Sequence, residues 1–263
     1  MPKKSEKQLR LPFDVYALQR YGGLNFEYRP GAFDPGQSWE LIWQIWLLKA
    51  GAHSVNHHGF MRLKKEVKPG DKSFHLTVEQ QVLNQFGLDI QQAQMTCAHD
   101  AFATPLQWEK SFRLVNLNTQ QEVAGTAFSK KGRLRNRSLE ISSQRRPVNG
   151  PVSSSWSLPE ALQRLSRAGA EQLTTFILLD DLDKVKEDQQ VRFVKEQTIA
   201  IGGQQVPVRV YQHTGQGLLP CFYYLDEQGR LLLAISGLRA YILNPDTLNI
   251  HRRVVQSFKK GAP

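Results

Sequence analysis

Apolar and polar side chains alternate with period two over long stretches of this 263-residue chain. The clearest case runs from Gly59 to Leu83. Met61, Leu63, Lys65 and Val67 share one parity, and Arg62, Lys64 and Glu66 share the other. After Pro69-Gly70-Asp71 the alternation resumes, with Phe74, Leu76, Val78 and Val82 set against His75, Thr77, Glu79 and Gln81. Period two on both sides of a Pro-Gly turn predicts a β-hairpin with one wet face. Residues 38–51 admit two patterns. Trp39, Leu41, Trp43, Ile45 and Leu47 make a strand face, while Trp39, Ile42, Trp43 and Trp46 make a helix stripe, with Ser38 and Gly51 as its caps. Strand is the preferred reading, because Trp and Ile suit a pleated surface and the next segments are strands.

Further strands are expected at Ile90 to His99, around Leu106, Trp108, Phe112 and Leu114, at Glu122 to Phe128 and at Leu139 to Ser142. The pattern then changes. Residues 144–155 are rich in Pro, Gly and Ser and read as a connector. Ser157 followed by Glu160 has capping-box spacing, Leu158, Ala161, Leu162 and Leu165 make a helix stripe, and Gly169 can stop it. Leu173, Phe176, Ile177, Leu179 and Leu182 stand near helical spacing and predict a second helix. Strands return at Arg192 to Ile201 and Val206 to His213, joined by Gly202-Gly203, then at Phe222 to Asp226, Arg230 to Ser236 and Arg239 to Leu243. The basic tail to Pro263 is expected to fray.

This order predicts a mainly β (α+β) chain: one domain, 1–263, with a connector and helical insert at 144–185. About ten strands would curl through their own twist. The expected architecture is a long curled antiparallel meander, or half-open barrel, with one or two helices packed on the concave face.

Composition supports a packed interior: 40% of residues are hydrophobic, with 5 Trp, 7 Tyr and 13 Phe. The net charge of +10 permits a polyanionic partner without selecting one. The densest basic run holds Lys130, Lys131, Arg133, Arg135 and Arg137, with Arg145-Arg146, Arg252-Arg253 and Lys259-Lys260 elsewhere. It reads first as a solvated basic loop and second as a grip on nucleic acid or an acidic polysaccharide. No nucleic-acid module is legible. Cys97 and Cys221 are too few for a disulfide framework; they are one bridge in an exported protein or two small core residues. No run of ~18 apolar residues exists to cross a membrane as a helix. The charged start Met1 to Lys7 leads into no apolar segment of signal-peptide type, which leaves a cytoplasmic protein or one whose leader has been removed or was never included.

Sequence-local chemistry is sparse. His53, His57 and His58 cluster, with His75, His99 and Asp100 as distant company, but no metal-ligand spacing appears. Asp180, Asp181 and Asp183 read as a solvated helix end before an acid–base pair or a cation site. No nucleophile elbow or phosphate loop is present. The aromatic belt of Trp39, Trp43, Trp46, Trp108, Phe112, Phe176, Phe222 and Tyr224 is core on the plainer reading. On the functional reading Trp39, Trp43, Trp108, Phe112, Phe176, Phe222 and Tyr224 line a groove for an apolar ligand.

The later half carries a resemblance. Leu178-Leu179-Asp180-Asp181-Leu182, Val206 to Tyr211, Gly217 to Asp226 and Gly229-Arg230-Leu231-Leu232 run in an order similar to exported bacterial domain-of-unknown-function proteins with a half-barrel shape like the periplasmic lipoprotein carriers. The resemblance covers about residues 100–245. It implies a half-barrel with helices in its hollow, a periplasmic or secreted location, no known reaction, and an apolar or acylated ligand. It transfers no functional residue. The function expected is therefore a non-enzymatic binding protein without metal or cofactor. A polyanion binder, and a hydrolase or lyase whose His and Asp residues meet only in three dimensions, stand as alternatives.

Overall fold

A computed structural model describes residues 14–48 and 55–261. The strands are β1 (Trp39–Leu48), β2 (Val55–Glu66), β3 (Ser73–Asn84), β4 (Gly87–Ala98), β5 (Pro105–Val115), β6 (Phe128–Arg135), β7 (Ser138–Ile141) and β8 (Gln144–Pro147). After them come β9 (Val152–Ser154), β10 (Gln172–Asp180), β11 (Lys184–Ile201), β12 (Gln204–Thr214), β13 (Cys221–Leu225), β14 (Leu231–Ser236) and β15 (Arg239–Leu243). The helices are α1 (Val15–Arg20), α2 (Leu158–Arg167) and α3 (Thr247–Gly261).

All fifteen strands form one sheet, in the order β8-β7-β6-β5-β4-β3-β2-β1-β15-β14-β13-β12-β11-β10-β9. Two meanders thus meet where β1 pairs antiparallel with β15, placing Trp43 opposite Leu243. Every pairing is antiparallel except β9 with β10. The sheet is curled and unclosed, so the mainly β half-barrel expected from the pattern is the fold observed.

Alternation assigns the faces. Trp43, Met61, Leu63, Phe74, Leu76, Met95 and Trp108 point into the hollow, where they pack with Leu158, Ala161 and Leu162 of α2. The opposite parity on the central strands forms a second core on the convex face: Val206, Val208, Val210, Tyr224, Leu232 and Ile242 under Val15 and Leu18 of α1. Asp14 caps α1, its carboxylate accepting from the Ala17 N–H at 2.7 Å. α3 lies on the same side, with His251 edge-on to Phe60.

Several expectations are corrected. Residues 172–180 form β10 and no second helix, because Phe176, Leu178 and Leu179 are buried on both faces of the strand. The basic run Lys130 to Arg135 lies in β6 rather than in a loop, and residues 122–127 contribute only an isolated bridge between Val115 and Glu122. The connector at 144–155 contains β8 and β9. The tail forms α3. Ser157 does not cap α2 through its side chain; its hydroxyl bonds Ser154, while Glu160 turns into the core. Among the described residues one helix, α2, occupies the concave face. The two cysteines are free and buried. Gly51, His53 and Met1 to Lys7 lie outside the described residues, as do the side chains of His57, Lys259 and Lys260.

Candidate functional site: a cavity at the unplugged end of the half-barrel

α2 closes one end of the hollow. Glu160 and Lys65 form an ion pair at 2.6 Å with both side chains fully buried. Arg164 also binds the Glu160 carboxylate at 2.8 Å, and Lys65 reaches the Pro35 carbonyl at 2.6 Å. Gln163 accepts from the Leu231 N–H at 3.1 Å. Gly229 has φ +80, and a Cβ there would stand 2.6 Å from the Gln163 carbonyl oxygen, so this turn meets the helix backbone directly. Asp226 shapes the turn by accepting from the backbone N–H groups of Gln228 and Arg230 and from the Arg230 guanidinium. The Asp-x-x-Gly-Arg-Leu signature is therefore a seat for the plug.

The gap between the two limbs is crossed by side chains. Trp108 donates its indole N–H to the Leu182 carbonyl at 3.1 Å, lying flat across Gly132. Lys110 donates to the Asp181 carbonyl at 2.6 Å and pairs with its carboxylate at 2.8 Å. Lys130 pairs with Asp183 at 2.6 Å, and Lys186 with Asp180 at 2.9 Å. Asp180, Asp181 and Asp183 are thus neutralised at a strand turn and are not the solvated helix end expected. Burial raises the Asp183 carboxyl, but the Lys130 and Lys110 ammonium groups outweigh it and hold it below the ordinary range. Among the described residues no His, Cys, Asp or Glu cluster has the makings of a metal site.

The other end retains a cavity of about 470 Å³. Trp156, Leu158 and Pro159, at the start of α2, form its floor, and Met61, Val82, Phe112 and Leu178 supply apolar wall. Polar groups fill the rest. Arg239 donates to the Tyr241 hydroxyl at 3.2 Å, which reaches Gln80 Oε1 at 3.5 Å; Gln80 donates to Gln91 at 3.4 Å, and Gln91 donates to Asp181. His213 borders the same space, bonded to Gln189 at 3.1 Å and stacked on Phe176. Burial, reinforced by Lys186, pushes its pKa down to about 4. On the turns and loop at this end of the sheet, Phe86, Leu219 and Leu238 are 68%, 64% and 50% exposed.

The predicted aromatic lining is scattered. Only Phe112 borders the cavity. Trp43, Trp108 and Phe176 are packed into the concave core, with the Trp43 indole bonded to the Leu231 carbonyl at 3.0 Å. Trp39 packs on that core from beside Phe33. Tyr224 and Phe222 belong to the convex core, on the wrong face of the sheet for this role. Sequence reading missed Arg239, Tyr241, Gln80 and Gln91. The inward parity of Gln80 was legible from Val78 and Val82, but a polar residue on an inward parity signalled nothing until the hollow had an unplugged end.

The basic residues also find acids. Lys131 pairs with Glu109 at 3.2 Å, and Glu140 holds Arg133 at 2.5 Å and Arg145 at 2.6 Å. Glu109, Lys131, Arg133 and Glu140 line a larger, shallow polar trough on the outer face, about 750 Å³, whose charges are largely spent on one another. Arg135 and Arg137 are exposed at the adjoining turn. Among the described residues, His58 and His99 do not converge. His58 sits beside Gly59, which faces Val82, whereas His99 follows the strand end where Ala98 faces Ser73, at the opposite end of the same strands.

No protein-family model matches the chain, and no curated protein matches it. Among solved structures it is similar to a β-barrel-like protein of domain of unknown function DUF1849 from Brucella abortus, with 13% identity and TM-score 0.48 over 78% of this chain and 94% of that one. It is also similar to a DUF1089 family protein from Pseudomonas aeruginosa, with 9% identity and TM-score 0.37 over 79% of this chain and 94% of that one.

Proposed function

We propose that this protein binds a small apolar or acylated ligand, without transforming it, in the cavity at the unplugged end of its half-barrel. The observation that carries the reading is the asymmetry of the hollow. One end is filled by α2 and its buried Lys65–Glu160 pair; the other keeps about 470 Å³ with an apolar floor. That volume lies within the range of small-molecule sites, ~300–1,000 Å³. Its lining mixes apolar walls with a few directed polar groups, the composition that gives a pocket both affinity and orientation. The exposed Phe86, Leu219 and Leu238 at the same end of the sheet support the same reading, since apolar side chains near an opening ease the passage of a greasy ligand out of water.

Titration with the fluorescent probe N-phenyl-1-naphthylamine tests it. Saturable binding with one site per chain is expected. Ala234 lies on the cavity wall, so Ala234→Phe should abolish that binding while the thermal transition remains cooperative. A chain that leaves the probe dark, or an Ala234→Phe variant that binds as well as the parent, overturns the proposal.

A further inference from the structure

We infer that the ligand is a single-chain amphiphile with an anionic head, held with the head at Arg239 and the tail on the α2 floor; this rests on the binding reading above. Arg239 begins β15 at the mouth, and its parity puts the side chain inward with Tyr241, while Ala240 between them belongs to the convex core. It bonds the Tyr241 hydroxyl at 3.2 Å and makes no ion pair among the described residues. The cavity's other charges differ in this respect. Asp181 is matched by Lys110 and Asp180 by Lys186. Asp89, also on the wall, acts on Arg239 only through space.

A guanidinium carries five N–H donors in a planar fork, and one phenolic oxygen occupies few of them. A carboxylate or phosphate presents the matching pair of acceptors and forms shorter, stronger bonds than a neutral head does. Below Arg239 the polar groups are already satisfied by one another, through Tyr241, Gln80, Gln91 and Asp181. They offer an incoming head little. Deeper still the wall turns apolar, at Leu158, Pro159 and Leu231, where a chain loses contact with water. The gradient from an unmatched cation at the mouth to an apolar floor fits a head-out amphiphile.

The test is displacement of the naphthylamine probe by dodecanoate, dodecyl phosphate and 1-dodecanol. The two anions are expected to compete about tenfold better than the alcohol, the scale of a charge-assisted hydrogen bond. Arg239→Gln should erase that advantage and leave the alcohol unchanged. Asp89→Asn should improve the anions several-fold, a gain that misfolding would not produce. If the alcohol competes as well as the anions, or Arg239→Gln keeps the preference, the inference falls while the binding reading stands. If the parent chain never binds the probe, both fall.

Discussion

Lys65 shows at the scale of one residue how a regular pattern conceals an irregular partner. Its parity with Met61 and Leu63 puts it inward, and there it is fully buried against Glu160. Removing one member of such a pair leaves the other charged and dry. Glu160→Gln is expected to cost about 3–5 kcal/mol in urea unfolding. Replacing the pair together, by Lys65→Met with Glu160→Leu, should cost less than the two single changes added. His213 makes a second residue-scale prediction. Its folded pKa of about 4 lies below the unfolded value. The stability that comes from keeping it neutral is therefore complete above about pH 6.5. It declines as pH falls toward 4, because the unfolded chain takes the proton first. His213→Gln should flatten the fall in unfolding free energy between those pH values by up to about 3 kcal/mol. Some slope should persist from His251, whose pKa burial also lowers to about 4.

Among the elements, α2 matters most, and its hold depends on a turn. Gly229 combines positive φ with direct contact to the helix backbone. Gly229→Ala adds strain and pushes on the plug, an expected loss of about 1–3 kcal/mol with exchange protection weakened first in α2. Hydrogen exchange resolved along the chain checks this; uniform weakening would place the strain elsewhere. The Asp226-to-Leu231 motif was visible in the sequence. That it seats a helix 68 residues upstream was not.

Across the whole molecule, the curl is held at its gap by side chains that replace the missing ladder. Lys110 is the centre of that seam, with Trp108 beside it. Lys110→Met should raise exchange in β9 and β10, corresponding to about 1–3 kcal/mol of local opening free energy, and leave the β2–β3 hairpin unchanged. Equal loosening of both would show that the seam is not a separate structural joint.

Period two is local, so the sequence by itself determined most strands, the faces of β1 to β3, and the class of fold. It misjudged segments whose environment overrides the period. β10 is apolar on both parities because it is buried on both sides, and helical spacing could be read into it. β6 is charged because it lies exposed far out on one limb, so it read as a loop. Tertiary structure alone decided the junction of β1 with β15, the plug, the seam and the cavity. Each depends on partners tens to nearly two hundred residues apart, such as Lys65 with Glu160, Lys110 with Asp181 and Trp43 with Leu231. A strand's pattern specifies which side chains turn inward, but only the closing of the curl decides which of them meet each other and which meet a ligand.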